Sequence, residues 1–343
     1  MLVFENDYSE GAHEKVLQRL VETNMKQLSG YGMDPYCESA KKKICEACGC
    51  PDAEVYLLTG GTQTNQVVIS TMLQPYEGVV AAETGHVSSH EAGAIEYSGH
   101  KVLTLPQHEG KIQPKDLADY LNDFYSDGNH EHMVFPGMVY ISHPTEYGTL
   151  YTKQELADIS SVCREYEIPL FLDGARLGYG LGSVKNDLTL EKMAELTDVF
   201  YIGGTKCGAL FGEALVITNK KLARKFRTYM KQNGAVLAKG WLLGLQFYTL
   251  LENDLYFEIT RKADMLAMKI RDAFAKKGIP FWVESPTNQQ FVILSPQQQD
   301  ILGKNYTFEK TGNTPDGIVA RFCTSWATTE EEVAQLIADI EKL

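Results

Sequence analysis

The sequence predicts an α/β protein: a large domain on a mostly parallel sheet, then a smaller C-terminal α+β domain. Three observations lead there. Residues 138–173 read as strand, helix and strand, with Thr152 and Glu155 at the spacing of a capping box ahead of the helix. Several further apolar runs are short and bounded by Gly, which is the pattern of strands covered on both faces. After a long helical pattern over Tyr256–Lys277, the chain turns to strands and one closing helix. The boundary is set near residue 250, giving domains 1–250 and 251–343, with an N-terminal arm over 1–35.

In chain order, Asn6–Gly11 reads as an extended arm and turn, and His13–Leu28 has helical spacing. SGYGMDP (29–35) is a Gly-rich loop closed by Pro35. Glu38–Cys48 reads as a helix and Glu54–Leu58 as a strand. Thr59–Leu73 opens with a Gly-Gly turn and runs on as a helix. Val79–Ala82 and Lys101–Leu105 are strands on either side of GHVSSHEAGA, and Pro114–Phe124 is helical. Met138–Ser142 and Leu170–Leu172 are the strands of the clearest unit. The runs DVFYIGG and Ala214–Ile217 continue the strand pattern. Trp241–Glu252 is an apolar helix. FWVESPTNQQFVILS and GIVARFCTSW supply the strands of the smaller domain, and Thr329 to Glu332 caps the last helix.

Bulk properties exclude several classes. A formal net charge of −13 opposes general affinity for nucleic acid or anionic membranes. No apolar run is long enough to span a bilayer. The start, MLVFENDYSEG, lacks the basic and apolar regions of a signal peptide. Cys37, Cys45, Cys48 and Cys50 crowd one stretch and read as packing residues of one helix, against the competing reading of a zinc or redox pair. These features describe a cytoplasmic, reduced protein.

The chemistry concentrates between Leu170 and Gly208. One apolar run ends at Asp173-Gly174-Ala175-Arg176 and another at Gly203-Gly204-Thr205-Lys206. Ligands bind beyond the carboxyl ends of such strands, so Asp173, Arg176 and Lys206 are expected at one rim. Desolvation there lowers a lysine's pKa and frees its amine to attack a carbonyl. An aspartate that keeps a pyridine nitrogen protonated and a lysine that forms a Schiff base are what pyridoxal 5′-phosphate (PLP) requires. Arg176 either pairs with Asp173 or forks onto a substrate carboxylate. Arg321 is a second carboxylate candidate, or else a surface arginine on an edge strand. Gly60, Gly61 and Thr62 stand where a strand turns into a helix, a site for phosphate. They lack dinucleotide and P-loop spacing, so a Rossmann dehydrogenase is disfavoured. His86 either stacks on a cofactor ring or is a satisfied core histidine. With His90 alone beside it, it makes no metal set.

These segments together resemble the threonine aldolase family, a β-eliminating lyase group of fold-type I PLP enzymes, over nearly the whole chain. FENDYS, SGYGMDP, GGTQTN, GHVSSHEAGA, DGARLG, TKCG and ARFCTSW carry the resemblance. It implies a seven-stranded large sheet and a homodimer or homotetramer whose sites are shared between subunits. It implies that Lys206 carries PLP, with Asp173 on the pyridine nitrogen and His86 stacked on the ring. Gly60, Gly61, Thr62, Thr205 and Lys239 would complete the cofactor contacts. Arg176, Arg321 and Asn6 would meet the substrate carboxylate, and Tyr31 would reach a neighbour's site. Many members carry a second histidine where this chain reads SHPTEYG, with Glu146 in its place. The base for the β-hydroxyl is then His86, Glu146 or an ordered water. The implied reaction cleaves L-threonine or L-allo-threonine to glycine and acetaldehyde. A β-eliminating lyase, an aminotransferase and a non-catalytic PLP-binding scaffold are the alternatives.

Overall fold

A strand that is apolar at every position has to be covered on both faces, and this dictates the architecture. The computed structural model describes residues 1–343. Its strands are β1 (Leu2–Val3), β2 (Glu54–Leu58), β3 (Glu77–Ala82), β4 (Val102–Leu105), β5 (Phe135–Ser142), β6 (Leu170–Asp173) and β7 (Val199–Gly203). They continue with β8 (Glu213–Ile217), β9 (Phe281–Val283), β10 (Gln289–Leu294), β11 (Tyr306–Thr307), β12 (Glu309–Thr314) and β13 (Gly317–Cys323). Seven form one sheet in the order β2-β8-β7-β6-β5-β3-β4. Only β8 opposes its neighbours; the other pairs are parallel.

Alternate residues of this sheet enter two separate cores. Val139, Ile141, Leu170, Leu172 and Phe200 face one side, and Met138, Tyr140, Phe171 and Tyr201 the other. Each fully buried Leu, Ile or Phe contributes roughly 1.5–3 kcal/mol. A polar group within these runs therefore needs a partner or a use. The crossover from β5 to β6 is the helix Lys153–Glu165. Its capping box is made: Glu155 N–H donates to Thr152 Oγ1 at 3.2 Å, and Thr152 N–H to Glu155 Oε2 at 2.7 Å.

The second sheet, β12-β13-β10-β9, is antiparallel and follows the long helix Leu255–Lys276. It packs on that helix and on Glu330–Ile340 through Phe274, Val292, Phe322 and Leu336. β13 lies between β12 and β10, so Arg321 is on an interior strand and the edge-strand reading is corrected. The edges are β9 and β12, and the polar sequence of β12, EKTGNT, carries no apolar alternation to announce it. The N-terminal arm begins in this layer: β1 pairs with β11, and Phe4 lies in the same core. The helix expected over His13–Leu28 is shorter, Glu14–Thr23, with the His13 ring accepting from Lys15 N–H at 3.2 Å. No helix is long and apolar enough to cross a membrane.

Candidate active site

Asp173 ends β6, and the strands on either side each send it a tyrosine. Tyr140 of β5 donates to Asp173 Oδ2 at 2.6 Å, and Tyr201 of β7 donates to Oδ1. Asn65 Nδ2 and the Ala175 N–H each add a bond at 3.0 Å. Burial alone would raise this carboxyl. The charge of His86 and the donors from Tyr140, Tyr201 and Ala175 outweigh burial and hold it below the usual carboxylate range. The chain turns tightly here because residue 174 is glycine: a Cβ would sit 1.9 Å from the Tyr201 carbonyl oxygen.

Lys206 follows β7 and shares with Asp173 a cleft of about 320 Å³. Burial lowers its pKa, Arg176 lowers it further, and Asp7, Asp173 and Glu213 pull the other way; the net direction is down. Thr205 lines the same cleft. Its hydroxyl donates to Glu213 Oε1 at 2.7 Å and accepts from Gly212 N–H at 3.0 Å. Glu213, the buried first residue of β8, also accepts from Gly204 N–H at 3.0 Å. Burial pushes its carboxyl up to about 8, against the pull of Thr205, Gly204 and Lys206.

Gly60, Gly61 and Thr62 line the same cleft. Gly60 is the N-cap of the helix Gly61–Met72 and supplies no capping side chain, so the first N–H groups stay open. No atom lies within 4 Å of where a Gly60 Cβ would be. This is the geometry of an anion site at a twelve-residue helix.

His86 begins a short helix after β3. Its Nδ1 meets Glu91 Oε1 at 2.7 Å, and Glu91 accepts from Asn65 Nδ2, also at 2.7 Å. Because Asn65 bonds Asp173 as well, the chain His86–Glu91–Asn65–Asp173 is continuous. Burial would lower the His86 pKa, but the Glu91 hydrogen bond and the Asp173 and Glu91 charges raise it. The His86 N–H donates to Glu146 Oε1 at 2.8 Å, and Ser142 Oγ donates to the same oxygen at 2.6 Å. Burial raises the Glu146 carboxyl despite these donors. His143 faces away, buried beside Tyr151, and burial lowers it to about 4.

Arg176 does not pair with Asp173. It forks onto Asp7, with Nε at 2.7 Å and Nη2 at 3.0 Å, and Asn288 Nδ2 adds a bond to Asp7 at 2.9 Å. Burial alone would raise the Asp7 carboxyl, but Arg176 and Lys206 charges with these donors hold it down to about 2. Arg321 opens on the outer part of the cleft beside His86, Glu146 and Arg176. Its guanidinium bonds Gln289 Oε1 and the Glu5 carbonyl at 3.0 Å each and pairs with Glu309.

Three expected residues stand apart from the cleft. The Asn6 side chain closes its own turn, accepting from Tyr8 N–H at 2.9 Å and Ser9 Oγ at 3.0 Å, and Tyr8 lines the cleft instead. Tyr31 lies in a separate groove with Arg227 and Lys231, and Lys239 is exposed outside the cleft. Asp7, Asn65, Glu91, Tyr140, Tyr201 and Glu213 are the residues that sequence reasoning missed. Tyr140 and Tyr201 carried a signal: each puts a hydroxyl into an otherwise apolar run, in the two strands that flank the one ending at Asp173.

The fold and the cleft define a class: fold-type I α/β enzymes, with a lysine and a buried carboxylate at the carboxyl ends of parallel strands. The chain belongs to the beta-eliminating lyase family, which matches residues 8–296. It is 31% identical to the low specificity L-threonine aldolase of Pseudomonas sp. (strain NCIMB 10558), over 98% of this chain and 96% of that protein. A solved structure of Leishmania major threonine aldolase is 45% identical, with a TM-score of 0.97 over 100% of this chain and 99% of that one. Histidinol-phosphate aminotransferase from Clostridium acetobutylicum shares the fold, at 15% identity and a TM-score of 0.76 over 100% and 98% of the two chains.

Proposed function

We propose that this chain is a PLP-dependent aldolase that cleaves L-threonine and L-allo-threonine to glycine and acetaldehyde. One observation carries the reading. Lys206, depressed by burial, shares a cleft with an aspartate that two tyrosines keep ionised and with an open helix start. The donor set fits the cofactor: an amine for its carbonyl carbon, a carboxylate for its ring nitrogen and free N–H groups for its phosphate. Bound there, PLP supplies an electron sink for the bond that breaks.

The chain's own groups do the rest. Asp173 holds a proton on the ring nitrogen. Gly60, Gly61 and Thr62 anchor the phosphate through backbone N–H groups. His86 covers one face of the cleft, oriented through Nδ1 by Glu91. Arg176, itself fixed by Asp7, and Arg321 bind the substrate carboxylate. Glu146, raised by burial, takes the β-hydroxyl proton from the side of the cleft where His86 also stands.

A homodimer or homotetramer fits the surface. Leu17 and Val21, one helical turn apart, are 43% and 78% exposed, and Met25 and Met33 are 89% and 62% exposed. Tyr31 and Lys239 then serve a neighbour's cleft. A monomer by light scattering at micromolar concentration counts against this. Seven free thiols fit a reducing compartment such as the cytoplasm. The activity is tested by product analysis on L-threonine and L-allo-threonine with PLP. Glycine and acetaldehyde are expected; pyruvate with ammonia, or a keto acid, overturns the aldolase reading.

A further inference from the structure

Glu213 stands outside every role described above, yet it is the carboxyl placed against the attachment lysine's own turn. It faces Gly203 across the β7–β8 pair. Its two oxygens accept from Gly204 N–H and Thr205 Oγ1, the two residues that immediately precede Lys206. The residue is 3% exposed and lines the cleft that holds Lys206. Neither of its hydrogen-bond donors is charged. Burial opposes ionisation of this carboxyl, its two neutral donors offset burial only in part, and a nearby cation favours the charged form further. Lys206 is the cation whose charge acts on it.

We propose that Glu213 is a positioning residue that helps set the pH at which the Lys206 amine becomes nucleophilic, beside Asp173 and Arg176 in the same cleft and Asp7 on Arg176. This rests on the reading of Lys206 as the reactive amine. The ionised carboxyl favours the ammonium, and the protonated carboxyl favours the free amine. The effect on each is reciprocal: Glu213 raises Lys206, and Lys206 lowers Glu213. The straps to Gly204 and Thr205 keep the carboxyl at a constant separation from the turn that carries the lysine.

The test is competitive acetylation of Lys206 by acetic anhydride across pH, read by peptide mass spectrometry on the full chain stripped of carbonyl cofactors with hydroxylamine. This readout does not depend on PLP or on activity, so failure of the aldolase reading leaves it intact. Glu213→Gln should move the Lys206 midpoint down by about one pH unit. Glu213→Asp, which keeps the charge, should stay close to wild type. An unmoved or raised midpoint in Glu213→Gln overturns the proposal, as does an equal fall in both variants. If Glu213→Gln does not fold, Thr205→Val replaces it. Losing that hydroxyl weakens the ionised carboxyl, so the midpoint falls by a smaller amount; an unchanged or raised midpoint overturns the proposal.

Discussion

Replacing Asp7 by Asn tests how the N-terminal arm is tied to the cleft. Asp7 is fully buried, holds Arg176 by two bonds and accepts a third from Asn288, so three chain segments meet on one carboxylate. The substitution leaves a buried guanidinium uncompensated, which costs about 3–5 kcal/mol. The depressed pKa of Asp7 points to a similar size. A carboxyl lowered from 3.8 to about 2 is worth roughly 2.5 kcal/mol of folding stability. The sign follows from a folded pKa below the unfolded one. This stability is fully present above the ordinary carboxylate range and is lost as pH falls through about 2. The assay is urea unfolding of wild type and Asp7→Asn at several pH values. At pH 7 the variant should be less stable by about 3 kcal/mol, and the gap should close as the pH approaches 2. A loss below about 1 kcal/mol, the scale of an exposed ion pair, or a gap that ignores pH, refutes the reasoning.

Three further substitutions probe the cleft. Tyr201→Phe removes a donor to buried Asp173, worth about 1.5–3 kcal/mol to the ionised form; PLP should be retained at least about tenfold less well by equilibrium dialysis, and unchanged retention would show that Asp173 needs no such support. Glu91→Gln removes the charge and weakens the bond that raise His86, so the His86 ring should lose its proton at a lower pH by about one unit in an NMR titration. An unmoved titration there breaks the link drawn between the two residues. Glu146→Gln should cut glycine release by about 10²–10⁴-fold and remove the acid limb of its pH profile; a loss under about tenfold moves the β-hydroxyl proton to His86 or to water.

The elements that position the site were legible because their residues must obey simple periodicities. A parallel strand covered on both faces can only read as an apolar run, so β5, β6 and β7 stood out, and the Thr152–Glu155 pair marked the crossover helix between the first two. Asp173, Lys206 and the Gly60–Gly61 turn each had an ordinary alternative, and only their joint placement at the ends of apolar strands pointed to one cleft. What the sequence concealed was pairing between distant segments. The partner of Arg176 is Asp7, 169 positions away, and no spacing rule connects them. Glu91 and Asn65 stand 26 positions apart and meet only in the folded chain. Glu213 lies one residue before the strand expected over Ala214–Ile217, where nothing in the sequence singles it out. Its significance appears only where β8 runs back alongside β7. β12 escaped for the opposite reason, since an exposed edge strand has no apolar face to betray it.

Lys206 is proposed as the residue through which this cleft holds PLP. The direct measurement is borohydride reduction of the PLP-loaded protein, followed by digestion and peptide mass mapping. The reduced cofactor should be found on the peptide containing Lys206, and Lys206→Ala should abolish both that adduct and the visible absorbance. Cofactor mass on a different lysine, or visible absorbance that survives in Lys206→Ala, would contradict the account.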